Sequence, residues 1–137
     1  MAELRLSKLA VGSKLPELSI DITPRLIVGG AIASRDYQNV HHDKDAAQAL
    51  GSPDIFMNIL TTNGLVGRYV TDWAGPAARL KKVDIRLGAP NFPGDCMTFS
   101  GEVQACDTAT GEVTVAVAGN NRLGPHVTGT VILHLLP

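Results

Sequence analysis

The 137-residue sequence lacks an excess of charge of either sign, because 12 Lys and Arg face 13 Asp and Glu and the net charge is -1. Proteins that bind nucleic acid usually carry a basic excess, so this balance argues against such a partner. The sequence also lacks any run of about 18 or more apolar residues, which argues against a membrane span. Charged residues interrupt positions 1–16, so the uninterrupted apolar core of a signal peptide is missing as well.

Cysteine is scarce, since Cys96 and Cys106 are the only two. Together with the missing signal peptide, this predicts a cytoplasmic protein with reduced thiols and gives no reason to expect redox chemistry. The length predicts a single domain over residues 1–137, because domains commonly contain about 100–150 residues. A chain of this size, 45% of it hydrophobic, can bury a core without disulfides or a structural metal.

Apolar residues recur with helical spacing in the first half of the chain and with strand spacing in the second half. Thr23 followed by Pro24 is typical of a helix start, and Pro53 with Asp54 suits the first turn of another helix. A strand is predicted over residues 15–23, and helices are predicted over residues 23–34, 43–50 and 53–73.

From Leu80 onward the hydrophobic period is two, and glycine-containing turns separate the alternating segments. This pattern predicts four consecutive antiparallel strands, with residues 131–136 offering an edge strand. A long helix followed by such a sheet predicts an α+β domain in which the helix lies across the sheet. Gly64 and Gly67 lie on nearly one face of the long helix, which would let the sheet or another helix approach closely.

A polar stretch over residues 34–43 contains the side chains best suited to chemistry. Asp36 and His41 are five residues apart, so on a helix they would point about 140° apart, and they converge only if a loop joins them. A carboxylate beside an imidazole is a workable acid–base pair. From the spacing alone, Asp36 could instead cap the short helix, and His41 could lie on the surface. A metal site at residues 41–43 lacks a third ligand at a recognised spacing.

This stretch resembles a family signature. MaoC-like, R-specific enoyl-CoA hydratases carry S-G-D-x-N-P-(Leu/Ile/Val)-H, and residues 34–41 read Ser-Arg-Asp-Tyr-Gln-Asn-Val-His. Asp36 and His41 fall on the catalytic pair of that family, whereas Arg35 replaces its glycine. The resemblance extends over about residues 11–135 and implies the hot-dog fold, in which an antiparallel sheet wraps a long central helix.

Residues 54–61 and 68–76 are similar to the small subunit of actinobacterial steroid enoyl-CoA hydratases. In those enzymes this subunit carries the acid–base pair and assembles with a second MaoC-like chain that lacks it. The resemblance therefore implies a steroid enoyl-CoA substrate and a heterodimer or heterotetramer, with a homodimer as the alternative. It implies no metal or redox cofactor, and coenzyme A enters as part of the substrate.

The resemblance also implies an oxyanion donor. The family has His-Gly near the start of the central helix, where the glycine N–H helps to bind the thioester oxygen, and the matching residues here are Met57-Asn58. The backbone N–H of Asn58 keeps such a donor. One donor of this kind is worth roughly 2.7–4 kcal/mol in the transition state.

Two alternatives to a hydratase remain open from the sequence. One is a hot-dog acyl-CoA thioesterase, which would use a carboxylate to activate water against the carbonyl and would release free thiol. The other is a non-catalytic binding subunit of an acyl-CoA enzyme. Candidates to contact the phosphates of coenzyme A are Arg79, Lys81, Lys82 and Arg86. For each of these four, a solvated strand edge is the alternative reading.

Overall fold

The computed structural model describes residues 4–137. The helices of this part are α1 (Pro24–Ala33), α2 (Lys44–Ala49) and α3 (Ile59–Ala74). The strands are β1 (Lys14–Asp21), β2 (Arg79–Leu87), β3 (Cys96–Asp107), β4 (Glu112–Asn121) and β5 (Gly124–His134). Short 3-10 turns lie at Leu6–Lys8 and Asn39–His41. Between residues 4 and 137, none of the helices has the length and apolar character of a membrane span.

All five strands form one antiparallel sheet in the order β1-β3-β4-β5-β2. Alternate residues of β4, such as Val113 and Val115, are fully buried, as the period of two predicts. Helix α3 covers this buried face, where the Tyr69 ring stacks on the Phe99 ring with centroids 5.2 Å apart. A long helix across an antiparallel sheet is the α+β architecture that the sequence predicts.

The last strand lies inside the sheet, so the prediction of an edge strand over residues 131–136 is wrong. Strand β5 pairs with β4 on one side and with β2 on the other, which leaves β1 and β2 as the edges. After α3 the chain enters β2 at the far side of β5. Local alternation cannot reveal this pairing, because it joins segments that are distant in the sequence.

Helix α3 begins at Ile59, and the prediction of a start at Pro53 is wrong. Residues 53–58 are irregular, because the Phe56 N–H bonds to the Val40 carbonyl at 3.3 Å and is unavailable for a helical turn. A long-range backbone contact therefore replaces the first turns of the predicted helix, and the true start lies close to the polar stretch.

Two helices pack closely at Gly30, and not at Gly64 or Gly67, where the sequence predicts close packing. A methyl group added at Gly64 would meet no atom within 4 Å, and one at Gly67 would reach Leu80 at an ordinary 3.7 Å. At Gly30 of α1, by contrast, an added methyl would overlap the Thr61 side chain of α3. The missing side chain at Gly30 therefore lets α1 and α3 approach each other.

We expect Gly64→Ala to raise the free energy of unfolding by about 1 kcal/mol, because glycine costs that much in an exposed helix. We expect Gly30→Ala to lower it by about 1–3 kcal/mol, because the new methyl must displace Thr61. Urea unfolding of both variants beside the wild type measures the two differences. Two changes of the same sign would contradict the different surroundings of these glycines.

Candidate active site

The end of helix α1 sets the position of Asp36. Arg35 has a left-handed backbone with φ 57°, just after the C-cap residue Ser34. The Asp36 N–H bonds to the Ala31 carbonyl at 2.8 Å, and the Arg35 N–H bonds to the Ile32 carbonyl at 3.0 Å. These bonds form a Schellman motif, in which the left-handed residue is usually glycine. Arg35 thus keeps the conformation that a glycine would adopt freely, at a cost of roughly 1–2 kcal/mol.

Asp36 and His41 lie side by side. The 3-10 turn Asn39–His41 bends the chain, and Asp36 Oδ2 is 3.3 Å from His41 Nε2. The other ring nitrogen, Nδ1, is 2.6 Å from the Phe56 carbonyl, and the ring packs edge-on against the Phe56 ring. The structure thus brings the pair together through a loop. His41 is only 6% exposed, so the alternative of a surface histidine is wrong.

The Phe56 carbonyl determines which nitrogen of His41 carries a hydrogen. A carbonyl only accepts, so Nδ1 must donate, and the neutral ring then presents the lone pair of Nε2 to Asp36. At 3.3 Å, a proton on Nε2 would make this contact a charge-assisted hydrogen bond to the Asp36 carboxylate. A pair that shares one proton can accept a second proton from a substrate and release the first.

The side chain of Asn58 completes this cluster, although the sequence assigned a role only to its backbone N–H. Asn58 Nδ2 is 3.0 Å from both Asp36 Oδ2 and Ser34 Oγ. Asn58 Oδ1 accepts the Thr61 N–H at 3.0 Å, which makes Asn58 the N-cap of α3. The preference of asparagine for N-caps was a signal for this helix start. The contact with Asp36 had no signal, because 22 positions separate the two residues.

The surroundings of Asp36 favour its charged form. The hydrogen bond from the Asn58 amide is the main cause that lowers the pKa of Asp36. Partial burial opposes this effect, while the Gln38 N–H, 3.2 Å from Oδ1, and the charges of His41 and His42 add to it. The side chain is 17% exposed. Asp36 is therefore ionised at neutral pH and accessible to a small molecule.

Sequence comparison identifies the family, because the MaoC-like domain pattern matches residues 9–122 of the chain. The chain belongs to the MaoC-like domain family. One relative of this MaoC-like chain is the beta subunit of 3-oxo-4,17-pregnadiene-20-carboxyl-CoA hydratase from Mycobacterium tuberculosis. The two are 56% identical over 125 residues, which cover 91% of this chain and 95% of the relative.

Solved structures share the architecture of the MaoC-like chain. A chain in the crystal structure of the ChsH1–ChsH2 complex from Mycobacterium tuberculosis is 56% identical and superposes with a TM-score of 0.89, covering 92% of this chain and 98% of that one. The R-hydratase PhaJ1 from Pseudomonas aeruginosa superposes with a TM-score of 0.89 at 22% identity, covering 98% of this chain and 86% of that one. At that identity the likeness concerns the fold alone, and the predicted hot-dog fold is confirmed.

A second buried histidine anchors the first turn of α3 in this MaoC-like chain. His126 of β5 is 2% exposed; its Nδ1 donates to the Ala89 carbonyl at 2.6 Å, and its Nε2 accepts the Thr62 hydroxyl at 2.8 Å. Burial lowers the pKa of His126, and the bond to Ala89 opposes this only in part. The neutral ring can therefore keep accepting from Thr62 and tie the start of α3 to the sheet.

The side chains of residues 41–43 of the MaoC-like chain have hydrogen-bond partners within the protein. His42 Nε2 is 2.7 Å from the Asp36 carbonyl, and Asp43 accepts the Asp45 N–H at 2.9 Å as the N-cap of α2. The alternative that Asp36 caps this helix is therefore wrong as well. No three His, Cys, Asp or Glu side chains in the described part of the chain are grouped so that they could hold a metal.

Exposed side chains lie around the site and along one sheet edge. Tyr37, which follows Asp36, is 68% exposed, and Ile59 and Leu60, which follow Asn58, are each 51% exposed. Exposed apolar side chains therefore follow directly in the chain after two residues of the polar cluster. The residues predicted to contact the phosphates of coenzyme A lie on the edge strand β2, and all four are exposed: Arg79, Lys81, Lys82 and Arg86.

Proposed function

We propose that this chain is the catalytic subunit of an enoyl-CoA hydratase that acts on a steroid side-chain enoyl-CoA. The observation that carries the proposal is the Asp36–His41 pair, 3.3 Å apart, in a chain 56% identical to the beta subunit of a pregnadiene carboxyl-CoA hydratase. The reaction adds water across the double bond of a trans-2-enoyl thioester. A conjugated thioester needs one group to take a proton from water and another to give a proton to carbon, and the pair supplies both.

In the proposed mechanism, Asp36 and His41 hold one water molecule. The water oxygen bonds to the β-carbon while the pair takes one of its protons, and the electrons of the double bond move toward the thioester oxygen. The proton that the pair already shared then goes to the α-carbon. The pair again holds one proton at the end, and the substrate has gained one water. Because both steps occur beside the same two side chains, the addition is syn.

The backbone N–H of Asn58 is the proposed donor to the thioester oxygen. This N–H has no hydrogen-bond acceptor among residues 4–137. It belongs to the same residue whose side chain contacts Asp36, which keeps the donor near the reacting water. Charge that develops on the thioester oxygen during addition would be stabilised by such a fixed donor.

A second MaoC-like subunit is the proposed partner, in a heterodimer or heterotetramer. The Mycobacterium tuberculosis relative is named as a beta subunit, and the similar crystal structure is of a complex of two proteins. The open apolar side chains of Tyr37, Ile59 and Leu60 would then be covered by the partner, by the steroid, or by both. A homodimer is the alternative assembly.

The proposed reaction needs no metal and no redox cofactor, because adding water causes no net oxidation or reduction. Coenzyme A is part of the substrate, and the basic residues of β2 are the candidate contacts for its phosphates. We place the protein in the cytoplasm, in agreement with the free thiols of Cys96 and Cys106.

The test uses the chain purified with whatever subunit copurifies from the organism that encodes it. We expect a steroid enoyl-CoA to lose its conjugated absorbance without release of free thiol, and a short enoyl-CoA to react more slowly. In deuterium oxide the product should carry one deuterium at the α-carbon, placed syn to the new hydroxyl.

Two results would contradict the proposal. Stoichiometric release of free thiol would instead identify a thioesterase. Anti placement of the deuterium would exclude a mechanism in which one pair of side chains performs both proton transfers.

A further inference from the structure

The carboxamide of Asn58 has one possible orientation. The Thr61 N–H can only donate, so the Asn58 atom 3.0 Å from it must be the oxygen. The Thr61 hydroxyl contacts the same oxygen at 2.5 Å. The amide nitrogen of Asn58 must therefore face Asp36 and Ser34, where it finds an acceptor at 3.0 Å on each.

Among the residues that the structure describes, Asn58 is the one residue outside the loop between α1 and α2 that hydrogen-bonds to the Asp36 carboxylate. Oδ1 accepts from the Gln38 N–H, and Oδ2 faces His41, and both partners belong to the same short loop. Helix α3, by contrast, is tied to the sheet through Thr62. A carboxylate held only by its own loop would move with that loop, whereas the amide of Asn58 fixes it relative to the sheet.

We propose that Asn58 is a positioning residue for hydration, whose amide N–H holds Asp36 Oδ2, in the charged state, at the place where it can exchange a proton with His41. This inference rests on the proposed function and adds a role for a side chain that capping alone does not explain. Capping uses Oδ1, whereas Nδ2 has no part in capping and is directed at the acid–base pair.

The sign of the expected pH effect follows from the amide bond. A donor to the carboxylate favours its charged form, so removal of the amide raises the pKa of Asp36. The titratable groups that face Asp36 are His41 and His42, while α1 and α3 present the uncharged Ser34 and Asn58. If hydration needs the charged carboxylate, the acidic limb of kcat/KM must move to higher pH when the amide is lost.

The variant Asn58→Asp separates positioning from helix capping. Aspartate keeps the oxygen that accepts from Thr61, but it places a second carboxylate oxygen where the amide donated to Asp36. We expect kcat/KM of the purified assembly to fall by about 100-fold or more. We also expect its acidic limb to rise by about one pH unit or more, because two adjacent carboxylates oppose each other's ionisation. Aspartate caps helices as well as asparagine does, so any fall in the melting temperature at neutral pH comes from repulsion between the two carboxylates and should shrink as the pH is lowered.

Two further variants serve as controls. Asn63→Asp makes the same chemical change on an exposed position of the same helix, and it should leave both the rate and the pH profile unchanged. Asn58→Ala removes the donor without adding charge, and it should move the acidic limb in the same direction as Asn58→Asp. An unmoved acidic limb in both Asn58 variants would overturn the inference, whatever their loss of rate or stability.

A titration of the Asp36 carboxyl carbon by NMR tests the inference without any activity assay. The Asp36 signal is assigned by its loss in Asp36→Asn. We expect its midpoint to lie at higher pH in Asn58→Ala than in the wild type, and equal midpoints would overturn the inference. If the wild type hydrates no enoyl-CoA, the proposed function fails, while this titration still decides whether Asn58 holds the Asp36 carboxylate in its charged form.

Discussion

Replacing Asp36 by asparagine is expected to lower kcat/KM for hydration by about 10³-fold, because the amide cannot take a proton from water or pass one to carbon. Asparagine is almost the same size, and its oxygen can still accept from Asn58. The fold and the assembly should therefore survive, and the melting temperature should stay close to that of the wild type. The rate is measured as loss of the conjugated absorbance of a steroid enoyl-CoA, with the copurified subunit present.

Asp43→Asn is the matched control for this prediction. It makes the same chemical change in the N-cap of α2, whose capping oxygen asparagine retains, and it should leave kcat/KM near the wild-type value. If Asp36→Asn hydrates the substrate at the wild-type rate, the chemistry must occur on another chain, and this chain is a binding subunit. Equal losses in both variants would point to a general effect on the loop between α1 and α2.

Replacing His41 by glutamine is expected to lower kcat/KM by about 10²–10³-fold, because the imidazole is the second member of the pair that exchanges protons. Glutamine fills most of the same space and can donate a hydrogen bond, but it does not titrate. If Asp36 and His41 act as one unit, the double variant should be no worse than the poorer single variant, since such effects are strongly non-additive. Steady-state rates of the three variants measure this.

His42→Gln is the control for the second prediction. His42 is the next residue, and its ring contacts the Asp36 carbonyl at 2.7 Å without touching the carboxylate. Its replacement should cost far less activity than replacement of His41. Losses at His41 and Asp36 that multiply in the double variant would mean that the two side chains act independently, contrary to the shared proton.

The sequence was sufficient for elements that local patterns determine. Thr23 and Pro24 marked the start of α1, where the Thr23 side chain accepts the Leu26 N–H at 3.0 Å. Alternation predicted β2 to β5, because one face of the sheet is buried under α3. The start of α3 was misplaced because Pro53 and Asp54 suit a first turn as well as Asn58 does. Only the long-range contacts of residues 53–58 decide between them.

The site could be predicted only where the resemblance named the residues. The interval between Asp36 and His41 says nothing about a 3-10 turn that would bring them together. The side-chain contact of Asn58 with Asp36 depends on where α3 begins, and that start was misplaced. His126 carried no signal either, because its partners Thr62 and Ala89 come from distant segments. Contacts between distant segments are a property of the folded chain and cannot be read from local periodicity.

The acid–base pair lies in the loop between α1 and α2, and neither of its residues belongs to a strand of the sheet. A duplicated gene could therefore lose the chemistry through changes at Asp36 and His41 alone and still encode a stable subunit of the same shape. Once two such copies assemble, selection for proton transfer acts on one copy, and the other is free to adapt its surface to the shape of the substrate. A two-chain enzyme with unequal halves is thus a short evolutionary step from a symmetric ancestor.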